Sequence, residues 1–266
     1  MKYWQKRNLL AQQALSEKTL KQTEKQLSKY YLKATETVIN EFEATYEKLL
    51  NTLEEGRAAT PADLYKLDKY WQMQGKLRAE LELLGNKQIT ALSNNFISLY
   101  LQVYEGLTIE GSSMFAEIDR KAAEQIINQI WCADGKSWSS RIWTNTDKLQ
   151  QTLNDSLLDC VITGKKTTEL KNILQERFEV SYSAADSLAR TEIAHIQTQA
   201  AKDRYKNAGI QMVEVWADKD ERRCEVCGKL HEKRYPIGST MPVPAHPRCR
   251  CTIIPVVEEN NQLMVI

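Results

Sequence analysis

Four of the six cysteines and two of the three histidines lie between Cys224 and Cys251. The order is Cys224-Glu-Val-Cys227, then His231, then His246-Pro-Arg-Cys249-Arg-Cys251. A two-residue gap lets both thiolates of the first pair reach one ion from a tight knuckle. In an extended segment residues i and i+2 face the same way, so Cys249 and Cys251 also converge. Soft thiolates with an imidazole, closed around a tetrahedron, select Zn²⁺.

Five residues qualify without His231, and a structural zinc takes four. Cys224, Cys227 and Cys251 head the expected set. Of Cys249 and His246, one is left to hold a bound thiolate by hydrogen bond rather than touch the ion. Disulfides and incidental buried thiols are the competing readings. Residues 229–241 offer little apolar material to bury, so this loop needs a bond stronger than packing, and metal ligation supplies folding free energy. Four protein ligands would leave no open position for water, which makes the expected zinc structural. Cys132 and Cys160 sit in helical contexts without neighbouring ligands and read as core thiols.

Catalytic constellations fare poorly. A zinc deaminase needs His-x-Glu ahead of its Cys-x-x-Cys, the reverse of this order. A carboxylate-bridged di-iron site needs two Glu-x-x-His pairs, and Glu192-Ile-Ala-His195 is the only one. A phosphate-cradling glycine loop, a Gly-x-Ser-x-Gly elbow and a His-Glu-x-x-His helix are all missing from the sequence. Arg190-Thr191-Glu192 is more informative. Ala185, Ala189, Ile193, Ile196 and Ala200 form one helical stripe, with Glu192 at its edge. A carboxylate there needs a donor or cation, and Arg141 or Arg204 would serve. The plainer reading of Arg190, Glu192 and Arg141 is a structural lock between helices. His195 lies off the stripe and reads as a surface or hydrogen-bonded side chain.

The elements that must position these residues are mostly helical. Only Pro61 precedes residue 235, whereas Pro236, Pro242, Pro244, Pro247 and Pro255 crowd the end. The long Pro-poor stretch, rich in Leu, Lys, Glu, Gln and Ala, suits helices. Leu20, Leu27, Tyr31, Ala34, Val38, Phe42, Tyr46, Leu49 and Leu53 mark one face of a long amphipathic helix. Gly56 ends it, and Thr60-Pro61 caps the next. Further helices are expected over 61–84, 87–106, 112–131, 140–163, 166–178 and 182–208, broken at Gly85-Asn86, Gly106, Gly111, Cys132–Gly135, Gly164 and the serines of 181–183. Gly209 stands where a C-terminal cap belongs. Strands are expected over 211–216 and 251–257.

With 266 residues, 42% hydrophobic and 27% charged, the chain is of ordinary globular composition. Thirty-six Lys+Arg against 35 Asp+Glu give a net charge of +1, which by itself argues for no partner. The first 33 residues hold eight Lys/Arg against two Glu, enough for a basic arm to meet phosphates, though a solvated helix face is the plainer reading. The longest uncharged stretch, Gln88 to Tyr104, contains Asn94 and Asn95 and falls short of a membrane span. Lys2, Lys6 and Arg7 are not followed by an apolar signal core, so a reducing cytoplasm is expected, where thiols stay free or bind metal.

Ser140-Arg141-Ile142-Trp143, Arg190-Thr191-Glu192, Gly209 with Trp216, Asp220–Cys227, Leu230-His231 and Pro244-Ala245-His246-Pro247-Arg248-Cys249-Arg250-Cys251 together resemble the C-terminal domain of the Mu F-like phage head morphogenesis (minor capsid) proteins. The resemblance covers roughly residues 115–257, and Cys-x-x-Cys followed by His-Pro-x-Cys-Arg-Cys is its most specific part. It implies a phage or prophage minor head protein without established catalysis, made in the bacterial cytoplasm and then carried in the head interior. It also implies association with the portal protein, with scaffold or capsid protein as further partners and packaged double-stranded DNA as a non-specific one. Some such proteins carry an enzyme domain after the motif, and with 15 residues beyond Cys251 none is expected here.

The expected fold class is mainly α. A helical N-terminal region over 1–110 docks on portal or scaffold. A domain over 111–257 ends in a small β/loop zinc module at 216–257, and 258–266 form a tail. Arg222, Arg223, Lys229, Lys233, Arg234, Arg248 and Arg250 outnumber acids around the knuckle, and phosphate contact is one reading of them. Offsetting a thiolate-rich centre is the other. The alternative function is a metal-dependent nuclease or transferase using Glu192, His195 or His231 beside the metal.

Overall fold

The computed structural model describes residues 3–53, 57–109, 117–218 and 220–257. The Gly56 and Gly111 breaks, the start of the helix expected at 112 and the tail 258–266 lie outside the described residues. The chain is mostly helical, as its proline distribution implies. Its elements run α1 (Tyr3–Thr52), α2 (Pro61–Tyr65), α3 (Asp68–Gly106), α4 (Arg120–Ile127), α5 (Trp138–Thr163), α6 (Thr167–Asn207), β1 (Met212–Trp216), α7 (Glu225–Leu230), β2 (Arg234–Pro236) and β3 (Thr252–Pro255). No helix among the described residues is long and apolar enough to cross a membrane.

Two compact units emerge, and the longest helices thread both. One is built from residues 24–91 and 138–186. Its core joins Tyr31, Val38, Phe42, Tyr46 and Leu49 of α1 to Met73, Leu77, Leu81 and Leu84 of α3, Leu149, Leu153 and Leu157 of α5, and Leu170, Leu174 and Phe178 of α6. The steps of three and four that mark α1 are the steps that bury it. Thr60 caps α2 in a capping box with Asp63, Pro61 takes the first helical position, and Arg57 grips the Asp63 carboxylate at 2.8 Å through both oxygens.

The expected breaks at Gly85-Asn86 and 181–183 do not occur, and packing is the reason. A Cβ on Gly85 would stand 2.6 Å from the Trp143 ring, so the glycine admits a close neighbour inside α3 rather than ending it. Ser181 is buried within α6, where its hydroxyl lies 3.1 Å from the Tyr31 hydroxyl and its carbonyl accepts from Asn145 Nδ2 at 2.9 Å. With its polar groups satisfied locally, that serine does not terminate a helix. The helix expected over 112–131 is described only as α4, ending at Ile127 in a turn.

The other unit comprises residues 1–23, 92–137 and 187–266. It holds the end of α3, α4, the second half of α6, α7 and a three-stranded antiparallel sheet of order β2-β1-β3. Gly209 adopts φ +78° just after α6 and turns the chain toward β1, as its position in the sequence implies. Val213 and Val215 of β1 are buried, with polar or half-buried neighbours between them. All of β3 is buried although it is an edge strand. The start of α1 covers it: Gln12 Nε2 donates to the Ile253 carbonyl at 3.0 Å and Gln5 Nε2 to the Pro255 carbonyl at 2.8 Å. Thr252 donates to Gln12 Oε1 at 2.6 Å and accepts from Gln197 Nε2 at 2.8 Å. An edge that would otherwise offer free backbone groups is closed by side-chain amides.

Candidate metal centre

Two short arms bring the sulfur ligands together. On the first, Cys224 is the N-cap of α7, and its Sγ accepts the backbone N–H of Cys227 at 3.3 Å. One helical turn therefore aims both thiols the same way. On the second arm Cys249 N–H donates to the His246 carbonyl at 3.2 Å, and Arg248 takes φ +62°, so the chain doubles back before entering β3. The arms meet around Cys227. Its Sγ lies 3.0 Å from His246 Nε2 and 3.8 Å from Cys249 Sγ, and Cys224 Sγ lies 3.2 Å from the same imidazole nitrogen. Two donor triads result, Cys224-Cys227-His246 and Cys227-Cys249-Cys251, and Cys227 belongs to both.

This geometry suits a tetrahedral ion. With metal–sulfur bonds of about 2.3 Å, tetrahedral sulfurs stand about 3.8 Å apart, which is the Cys227–Cys249 spacing. His246 Nδ1 donates to the Pro247 carbonyl at 2.8 Å, which fixes the tautomer and leaves the Nε2 lone pair facing the thiols. That is the support a ligating imidazole needs. Protons are unevenly held across the cluster. Burial pushes the Cys227 thiol up to about 12, while the hydrogen bond from Cys251 pulls Cys249 down to about 5. The same bond raises Cys251, and the Pro247 carbonyl raises His246. Cys227, Cys249 and Cys251 are buried and Cys224 is exposed. The cluster can hold a metal.

Arg250 lies between the two last cysteines and is held by Asp220, at 2.8 and 2.7 Å to the two carboxylate oxygens. Asp220 precedes the first arm, and the guanidinium pulls its carboxyl down to about 2. Arg222 reaches the same carboxylate at 3.5 Å, and Arg234 pairs with Glu214 at 3.3 Å. Arg223 and Lys233 are exposed. Arg190 has its affinity for a proton lowered by burial and then by the charge of Arg248 nearby.

A small cleft of about 30 Å³ opens beside the thiols, lined by Cys224, Cys227, His246 and Cys251 together with Arg222, Arg223, Arg248 and Arg250. It admits one or two water-sized occupants. Glu192 and His195 do not line it. The Trp131 indole donates to Glu192 at 3.0 Å, and His195 stacks on the same ring with centroids 4.2 Å apart. Burial brings the His195 imidazole down to about 4, so it is neutral near pH 7. Arg141 lies on α5, in the other unit, and Arg204 donates to the Leu107 carbonyl at 3.2 Å. His231 accepts the Ala217 N–H at 3.2 Å through Nδ1 and meets Trp216 edge-on, which turns it toward β1. Thr191 is the residue that sequence reasoning passed over. Its hydroxyl accepts the Arg248 N–H at 3.0 Å and donates to Ser187 at 2.7 Å, so α6 props the second arm. Standing between Arg190 and Glu192 was its only signal.

Residues 151–254, from α5 to β3, match the family described as Phage Mu protein F like protein. The C-terminal domain is Mu F-like. A protein of Enterococcus faecalis, described as NAD(+)–arginine ADP-ribosyltransferase EFV, is 29% identical over 144 residues, covering 47% of this chain and 29% of that one. The chain thus spans less than a third of the length of that curated relative. No solved structure matches significantly. The cysteine arms lie within or at the edge of the matched Mu F-like segment, together with the Arg190-Thr191-Glu192 turn that props them.

Proposed function

We propose that the chain is a phage minor head protein, a non-catalytic component of the virion, whose Mu F-like domain is locked by one structural Zn²⁺. The observation that carries this reading is the convergence of Cys224, Cys227, His246, Cys249 and Cys251 from two arms inside a Mu F-like domain. Four of the five would bind the ion and the fifth would hydrogen-bond a bound thiolate. The chain would be made in the bacterial cytoplasm and end inside the head. There it would meet the portal protein, with scaffold or capsid protein as further neighbours. Exposed Tyr65 and Trp71, beside Tyr70 in one aromatic group, favour a protein partner for the first unit described.

Contact with double-stranded DNA would fall first to the exposed Arg223 and Lys233, since Arg222, Arg234 and Arg250 answer carboxylates. Such contact is independent of sequence and weakens with salt. The decisive experiment is metal analysis of the purified full-length chain with thiol counting before and after chelation. One zinc per chain, with reactive thiols released by the chelator, is expected. A chain that carries no metal and keeps an equally ordered tail in chelator overturns the reading.

The name of the Enterococcus relative favours a second reading, a transferase or other metal-dependent enzyme using Glu192 and His195. Against it stand the bonding of Glu192 to Trp131 and the stacking of His195 on that ring. Turnover of NAD⁺ or cleavage of DNA by the zinc-loaded protein, abolished in Glu192→Gln, would restore the enzyme reading.

A further inference from the structure

The cluster has one donor more than a tetrahedral ion can use, and its arms are anchored without any ion. Asp220 grips Arg250 across the arms. Thr191 holds the backbone of Arg248. His231 N–H closes the α7 turn on the Cys227 carbonyl at 3.1 Å, and Cys249 N–H closes the second arm on His246. If the ion left, these bonds would still keep Cys227 and Cys249 facing each other from separate arms. Their sulfurs are 3.8 Å apart, so an approach of about 1.8 Å would bring them to disulfide length. Cys227 also lines the cleft, so a small oxidant can touch it, whereas Cys249 sits behind, off the cleft wall.

We propose that this cluster is a metal-for-disulfide exchange site, in which a hydroperoxide-class oxidant joins Cys227 to Cys249 and releases the ion. The inference rests on the metal reading above. The O–O bond of hydrogen peroxide breaks as the Cys227 sulfur, which would be a thiolate while it ligates the ion, attacks, giving a sulfenic acid and, with one proton, a molecule of water. The Cys249 thiol then attacks that sulfur, the S–S bond forms, and the sulfenic oxygen leaves as a second water. Two sulfurs lose two electrons and hydrogen peroxide gains them, so the step needs no other reactant. The ion, left with too few thiolates, dissociates.

The product is a covalent link between the arms that the ion had joined. The 21 residues enclosed, 228–248, stay closed as a loop, and the constraint on the unfolded chain is kept. Disulfides within either arm would behave differently. A Cys224–Cys227 or a Cys249–Cys251 bond would tie each arm to itself and add no covalent link between the two, leaving the Asp220–Arg250 pair to join them once the ion is gone. A protein assembled under reducing conditions would carry the metal, and in oxidising surroundings it would keep the same shape by a bond.

The test treats full-length, zinc-loaded protein with hydrogen peroxide, starting at one equivalent. Released zinc is followed with a chromogenic chelator, free thiols are counted, and crosslinked peptides are mapped by mass spectrometry. Zinc release is expected to track the fall from six reduced cysteines to four, counted in denaturant with chelator, with Cys227 and Cys249 in the crosslinked peptide. Far-UV circular dichroism and the protease-cleavage pattern are expected to stay unchanged. Dithiothreitol with added zinc should restore all six thiols. The Cys251→Ser chain should crosslink like the parent, and Cys249→Ser should form no crosslink at Cys227. A Cys224–Cys227 crosslink, sulfinic acid without any crosslink, or zinc retained while thiols are lost overturns the proposal. Absence of zinc before peroxide is added overturns the metal reading instead, and the crosslink map of the metal-free chain still decides this one.

Discussion

Arg250 and Asp220 form a two-pronged ion pair that ties the segment ahead of the first cysteine arm to the middle of the second, at 2.7 and 2.8 Å. Its role follows from its place: it sets the distance between two ligand-bearing arms before any ion binds. An exposed pair contributes little to global stability, but supports of this kind govern metal affinity. Arg250→Gln and Asp220→Asn are each expected to weaken zinc binding about tenfold in a chelator competition. Arg223→Gln, which removes an equal charge from the same cleft, should leave zinc affinity unchanged and lower only DNA retention at low salt.

Gly75 and Gly85 sit in the same helix and should respond oppositely to alanine. A Cβ on Gly75 meets nothing within 4 Å, and the site is exposed, so Gly75→Ala should gain up to about 1 kcal/mol from helix propensity. At Gly85 the same methyl would lie 2.6 Å from Trp143 Cζ3. Overpacking of that kind costs about 1–3 kcal/mol and exceeds the propensity gain. Gly85→Ala should therefore lower stability in urea unfolding, and Trp143→Ala in the same chain should relieve the clash.

Gly85 and the start of α1 show what the sequence conceals and why. Spacing exposed the cysteine arms because ligands on a knuckle are local neighbours, and steps of three and four exposed α1 from Leu20 onward because its partners there are apolar. Ahead of Leu20 the same helix buries Asn8 and Gln12, whose partners are backbone and hydroxyl groups more than ninety residues away. No apolar stripe results, so periodicity begins late although the helix begins at Tyr3. Thr191 was invisible for a similar reason: a threonine hydroxyl acquires its meaning only from Arg248, 57 positions on. The α7 turn and the three-residue β2 are short enough to be set by what they hold rather than by their own propensities.

The amide closure of β3 yields a third expectation. Gln12 bonds the Ile253 carbonyl, the Thr252 hydroxyl and the Tyr205 hydroxyl, all out of water. Gln12→Ala strands these groups, which should cost about 2–3 kcal/mol in denaturant unfolding. Gln13→Ala removes one bond, to Asp218 at 2.7 Å near the surface, and should cost less than about 1 kcal/mol. A fragment comprising residues 111–257 alone lacks this cover on β3 and should be protease-sensitive from Thr252 onward, whereas the full chain should not.

His195 gives the last expectation, a pH dependence. Its imidazole titrates near 6.5 in an unfolded chain but is brought down to about 4 in the fold by burial against Trp131. The unfolded state thus binds the extra proton first as pH falls. The neutral histidine's stabilising contribution is fully present above about 6.5 and is lost progressively between about 6.5 and 4. A depression of this size corresponds to roughly 3 kcal/mol. His195→Phe keeps a flat ring on Trp131 and has no proton to bind. Any acid release of metal affects both chains alike, so the quantity to follow is their difference in unfolding free energy. Relative to its value at pH 7.5, that difference should shift in favour of the phenylalanine chain by roughly 3 kcal/mol on reaching pH 4. A difference that stayed constant across that range would mean that His195 titrates near 6.5 in the fold.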